Sequence, residues 1–185
     1  SNEPRYVKST ETPSLWSVPG SASGGRAERL AVGEGGESPS ISSDGRLAWL
    51  RWTRDENVWR LPLGGGAPER LVVSTRRDND PHFSPDGKRI AFASDRSGSE
   101  QVWIANADGS DARPLTAMKG SMTGGGRFSP DGRSIVFMSN EPGQMEVYRT
   151  TPEGQTPVRV TNDPGHDSGA SFSRDGRFIY FGSNR

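Results

Sequence analysis

"HFSPDGKRIAFASDRSG", residues 82–98, sets a tight-turn signal between two short apolar runs. Pro85 presets φ, Asp86 can bond the local backbone and Gly87 accepts a positive φ, which together make hairpin chemistry. The run that follows, "RIAFAS", is β-branched and aromatic over the length of a strand. The chain then repeats the phrase. "RFSPDGRSIVFMSNEPG" stands at 127–143 and "SFSRDGRFIYFGSNR" at 171–185, with a worn copy, "SISSDGRLAWLRWTRDE", at 40–56. The turn glycines Gly45, Gly87, Gly132 and Gly176 are spaced 42, 45 and 44 residues apart.

Two further markers follow each hairpin. One is an aromatic residue: Trp16 in "SLWSVP", Trp59 in "NVWRLP", Trp103 in "QVWIAN" and Tyr148 in "EVYRTT". The other is a Gly-rich turn before an apolar pair, as in "GGGAPERLV" and "GSDARPLT". Each unit therefore reads as four antiparallel strands, a to d. No apolar repeat of helical period is long enough for a helix. Ile90, Phe92, Val102 and Ile104 put apolar side chains on both faces of such a sheet, so it needs a neighbour on each side. A four-stranded unit with a period in the forties is the pattern of a β-propeller blade, and the predicted fold class is all-β.

The string "FSPDGKRIAF", followed by "SDR", "VWI" and "RPLT", resembles the repeat of TolB-like propellers, cousins of the WD-repeat family. Residues 78–120 match it nearly throughout and 121–165 match well. Residues 36–77 lack the turn proline and the Asp-Arg after strand b. The expected organisation is three complete blades at 36–77, 78–120 and 121–165. Partial blades stand at 1–35 (strands c and d, with "RYVKST" as a further candidate for b) and at 166–185 (strands a and b). Two closures compete: the ends share one blade in a ring of four, or the chain is a portion of a longer propeller. The resemblance favours the second, because TolB-like rings commonly have six or more blades. Open terminal blades would then expose sheet edges and favour self-association.

Composition narrows the function classes. Lys and Arg number 23 against 23 Asp and Glu, and a phosphate-neutralising protein would carry a basic excess, so nucleic acid is not the expected partner. The absence of cysteine removes disulfides, thiolate metal sites and cysteine nucleophiles, and suits either redox environment. No apolar run reaches membrane-spanning length. The TolB resemblance alone points to a periplasmic or cell-envelope setting.

Residues repeated in every unit are expected to be structural. This applies to the turn acids Asp44, Asp86, Asp131 and Asp175, because a catalytic acid is needed once rather than four times. The same reasoning takes the aromatic series as inter-blade core, Asp95 and Arg96 as structural ion-pairing residues within or between blades, and the ladder Arg46, Lys88, Arg133 and Arg177 as charged turn tips. Residues leading into and along strand a vary instead, and in a propeller they approach the central opening. The candidate binding residues are Glu37, Asp78, Asn79, Asp80, His82, Thr123, Arg127, His166 and Asp167. Their spacing matches no metal motif, and no metal or cofactor is expected. His166, Asp167 and Ser168 are adjacent, but neighbours on an extended strand point to opposite sides, so they do not form a catalytic triad.

The resulting expectation is a non-catalytic propeller module that binds a protein or peptide segment, within a larger bacterial sensor, regulator or envelope protein. The alternative is the gating propeller of a prolyl-oligopeptidase-type serine peptidase. A weaker one is a carbohydrate- or metal-binding propeller.

Overall fold

A computed structural model of the chain describes residues 14–17, 28–34, 36–42, 46–51, 55–120 and 122–185. The candidate strand at 5–10 and the turn tip with Asp44 and Gly45 lie outside the described residues. Those described form sixteen strands and no helix. The chain divides into two compact units, Ser1–Thr53 and Arg54–Arg185.

The first unit holds two antiparallel ribbons. Strand β1 (Ser14–Ser17) pairs with β2 (Glu28–Glu34), and β3 (Gly36–Ile41) with β4 (Leu47–Arg51). Trp16 lies opposite Arg29, and a bulge falls between Glu37 and Ser40 of β3. The Ser42 hydroxyl accepts from the Arg46 N–H at 2.9 Å.

The second unit holds two ribbons and two complete four-stranded sheets. Strands β5 (Val58–Arg60) and β6 (Glu69–Val72) form the first ribbon. Strands β7 (Asp78–Phe83), β8 (Arg89–Ser94), β9 (Gln101–Asn106) and β10 (Arg113–Pro114) form one sheet in chain order. Strands β11 (Thr123–Phe128), β12 (Ile135–Ser139), β13 (Glu146–Thr150) and β14 (Val158–Arg159) repeat that order. Strands β15 (Asp167–Phe172) and β16 (Ile179–Ser183) make the last ribbon.

Alternation along the strands explains how these sheets stack. Ile90, Phe92, Trp103 and Ala105 turn to one side and bury against Val58, Leu71 and Val72 of the β5–β6 ribbon. Ala91, Val102 and Ile104 turn to the other side and meet Phe128, Ile135, Phe137 and Tyr148. Val136 and Val147 continue the stack onto Ala170, Ile179 and Phe181. Each fully buried Phe or Ile contributes roughly 1.5–3 kcal/mol, so the cores lie between sheets rather than within them.

The aromatic series divides in two. Trp103 and Tyr148 are buried as expected, with Tyr148 stacked on Phe137 at 5.6 Å. Trp16 and Trp59 are 60% and 55% exposed, against expectation. The reason for Trp59 is positional: within its unit no sheet precedes β5, so the face that covers Trp103 has no counterpart. The Arg70 guanidinium lies 5.2 Å from the Trp59 ring instead.

The turn acids do turn work. Asp86 Oδ1 accepts from the Ser84 hydroxyl at 2.6 Å and from the Lys88 N–H at 3.1 Å, while Ser84 Oγ accepts from the Arg89 N–H. Ser129 with Asp131 and Ser173 with Asp175 repeat the arrangement. The serine hydroxyl first, then the backbone N–H, hold all three carboxyls below their ordinary value. The turn glycines sit at φ 69°, 71° and 70°. Ser129→Ala removes a hydroxyl that both donates and accepts, and should cost about 1 kcal/mol in urea unfolding; no loss would deny the turn that role.

Candidate functional site

The first strands β7, β11 and β15 lie side by side, each at the edge of its sheet. Each carries a bulge at the same place, between Asn79 and His82, Gly124 and Arg127, and Ser168 and Ser171. The residue inside the bulge is left-handed in all three: Asp80 at φ 52°, Gly125 at 72° and Gly169 at 66°. Glycine adopts this conformation without a steric cost, whereas an aspartate is held there at some expense.

Strand β11 fits closely because it is bare. A Cβ on Gly124 would lie 3.3 Å from Ala93 Cβ, and one on Gly126 would lie 2.9 Å from Val102 Cγ1. The Gly124–Gly126 run therefore serves close approach between sheets.

Asp80 Oδ1 takes a hydrogen bond from Arg127 Nη2 at 2.5 Å, joining β7 to β11. Both side chains are about one-third exposed, 37% and 30%. His82 stacks on Phe128, and its Nδ1 accepts from the Phe128 N–H at 3.4 Å, which leaves the ring proton on Nε2. Burial first and the Arg127 charge second lower the His82 pKa against the pull of Asp80, so the ring is neutral at pH 7. Arg77 reaches Glu100 at 3.4 Å and Glu56 at 3.7 Å. Burial raises the Glu100 pKa, opposed by Arg77 and helped by Asp95 and Asp80. The bulge of β7 is thus a partly open, mixed-charge surface built by two adjacent strands.

Other candidate residues are committed to the sheets. Asp78 is buried and paired with Arg96 at 2.7 Å, and Arg96 also lies over the rings of Phe92 and Trp103. Arg96 therefore does not pair with Asp95, whose carboxylate accepts from the Arg77 N–H at 3.0 Å. Asp167 repeats the buried pair with Arg185, which also contacts Asp163. In the sheet between them Glu141 stands where an arginine stands in the others. The buried carboxylate is correspondingly replaced by Thr123, hydrogen-bonded to Ser139 at 2.9 Å. His166 is exposed, and its N–H donates to Asn184 Oδ1. Asp167 thus bonds Arg185 rather than its neighbour His166. Glu37 lies in β3 opposite Leu50, in the other unit. Among the described residues no group of three or more His, Asp or Glu side chains is placed to hold a metal ion.

Comparison with known proteins places this geometry in context. Residues 70–182 match the family described as the dipeptidyl peptidase IV (DPP IV) N-terminal region. TolB from Acinetobacter baumannii superposes with a TM-score of 0.63 at 22% identity, over 84% of this chain and 40% of that one. A putative TolB from Agrobacterium tumefaciens gives 0.61 at 26% identity, over 87% and 60%. Tricorn protease homolog 1 of Streptomyces coelicolor is 36% identical over 67 residues, which are 36% of this chain and 6% of that protein. The chain spans less than two-thirds of each. The resemblance to TolB-type propellers read in the sequence holds for the all-β fold.

Proposed function

The chain belongs to the family of dipeptidyl peptidase IV N-terminal regions, and on that premise we propose that it is the non-catalytic β-propeller part of a larger bacterial protein, binding a protein or peptide segment. In this proposal the blades are those of the sequence repeat, at 36–77, 78–120 and 121–165, with partial blades at either end. The observation that carries the reading is the bulge of β7. Asp80 occupies a conformation that the next two first strands give to glycine, and its side chain meets Arg127 and stands near His82 on an open surface. A strained residue kept for its side chain is a functional-site signal. Asn79 borders the surface at the start of the bulge, where its side chain bonds Glu100, while Asp78, Thr123 and Asp167 hold the strands that present it.

A displayed library of random peptides, panned against the whole chain, tests this. Enriched peptides should lose about tenfold or more in affinity with Asp80→Gly combined with Arg127→Ala. The first change supplies glycine for the left-handed backbone, so the fold should persist by thermal melting. Absence of enrichment over a protein-free control, or undiminished binding to the folded variant, refutes the assignment.

The family match favours a second reading, in which the same surface meets peptide segments on their way to an adjoining peptidase domain. The proposal also places a neighbouring sheet, of the larger protein or of a second copy, against the outer face of β16. Tyr180 is 62% exposed there, at the repeat position that Ala91 and Val136 bury in the complete sheets.

A further inference from the structure

A concave feature lies at the opposite end of the first strands from Asp78 and Thr123, where the hairpin turns gather. It is a groove of about 510 Å³ between the turns of the two complete sheets, within the range of small-ligand pockets. Ser84, Pro85, Asp86 and Arg89 form one wall, Pro130 to Arg133 the other, and Glu153 reaches in from the β13–β14 turn. The two walls come close at the turn tip, where a Cβ on Gly132 would rest in ordinary contact with Pro85, 3.7 Å from its Cδ.

The chemistry on offer is narrow. Most of the turn backbone's donors are spent. The N–H groups of Gly87 and Gly132 bond Ser84 O and Ser129 O, those of Lys88 and Arg133 bond the turn carboxylates, and those of Arg89 and Ser134 bond serine hydroxyls. A peptide main chain would find no ladder to join. Side chains remain. Asp86 and Asp131 each use Oδ1 within the turn, which leaves Oδ2 as an acceptor, and hydrogen bonding keeps both ionised. Arg133 is exposed, and Arg89 holds Glu153 only loosely at 3.4 Å. Acceptors and donors thus alternate beside two exposed proline rings. Three carboxylates against two guanidinium groups disfavour an anion.

We propose that this groove binds a neutral saccharide of one or two rings, whose hydroxyls bridge the carboxylates and guanidinium groups while a C–H face rests on Pro85 and Pro130. The turns are locked by their own hydrogen bonds, so the ordering cost of binding falls on the Arg89, Arg133 and Glu153 side chains alone. The proposal stands independently of the peptide surface on the bulges.

Calorimetric titration of the whole chain with cellobiose, maltose and N,N′-diacetylchitobiose, beside digalacturonate and a proline-rich peptide, tests it. At least one neutral disaccharide should bind, weakened about tenfold or more by Arg133→Ala with Glu153→Ala. That variant alters exposed side chains only, so its melting temperature should match the parent. Binding by none of the three neutral sugars, equal binding to the folded variant, or preference for digalacturonate or the peptide would overturn the proposal.

Discussion

Gly109→Val should cost the chain about 3 kcal/mol or more of stability, read as a shifted urea midpoint. Gly109 closes the β9–β10 turn at φ 83°, and a Cβ there would lie 1.8 Å from the Leu71 carbonyl oxygen and 2.9 Å from its carbon. The obstacle is backbone, not a side chain that could swing away. Two costs therefore add: a β-branched residue in the left-handed region, about 1–3 kcal/mol, and displacement of β6 from the Val58–Leu71–Val72 core, about 1–3 kcal/mol more. Gly98→Val separates them. Gly98 sits at φ 101° with nothing within 4 Å of its would-be Cβ, so it bears strain alone. Equal losses at the two positions would mean that the close approach of turn to strand carries no weight.

That approach illustrates what could be read beforehand. The four-strand period, the Ser-Pro-Asp-Gly hairpins and the facing of Phe92 and Ile104 follow from local turn chemistry and alternation, which a short stretch of sequence contains. Pairing across the repeat is harder to see. Asp78, Thr123 and Asp167 look variable, hence functional, when strand a is read alone. Set beside the second residue after strand b they fall into order: aspartate with Arg96, threonine with Glu141, aspartate with Arg185. The charge is buried only where an arginine answers it, and comparing the repeats two positions at a time would have revealed this. The Asp80–Arg127 contact was beyond such reading, because it joins different sheets at a bulge whose left-handed residue has no required identity. The exposure of Trp59 was likewise hidden, since burial depends on the neighbour a sheet finds.

The same internal comparison yields a second large effect, at Glu146. Its carboxylate is fully buried, accepts from Arg159 Nη2 at 2.6 Å and Gln144 Nε2 at 3.0 Å, and also binds the Thr161 hydroxyl. Burial alone would raise its pKa; Thr161, Gln144 and Arg159 together pull it below the ordinary value. Stability from this group is therefore present above the unfolded pKa and lost as pH falls through the folded one. Arg159→Leu strips the guanidinium and leaves a buried charge, at a cost of about 3 kcal/mol near pH 7. Burial then dominates and the sign reverses: the variant should regain ground on its parent as pH falls toward about 4. The preceding sheet shows the remedy. There Gln101 takes the place of Glu146, with Pro114 at the place of Arg159, and its amide satisfies Thr116 and both the N–H and carbonyl of Met118. Glu146→Gln should accordingly recover most of what Arg159→Leu loses. A single variant as stable as the parent, or a double variant no better than the single, would show that the pair does not set the stability of this sheet.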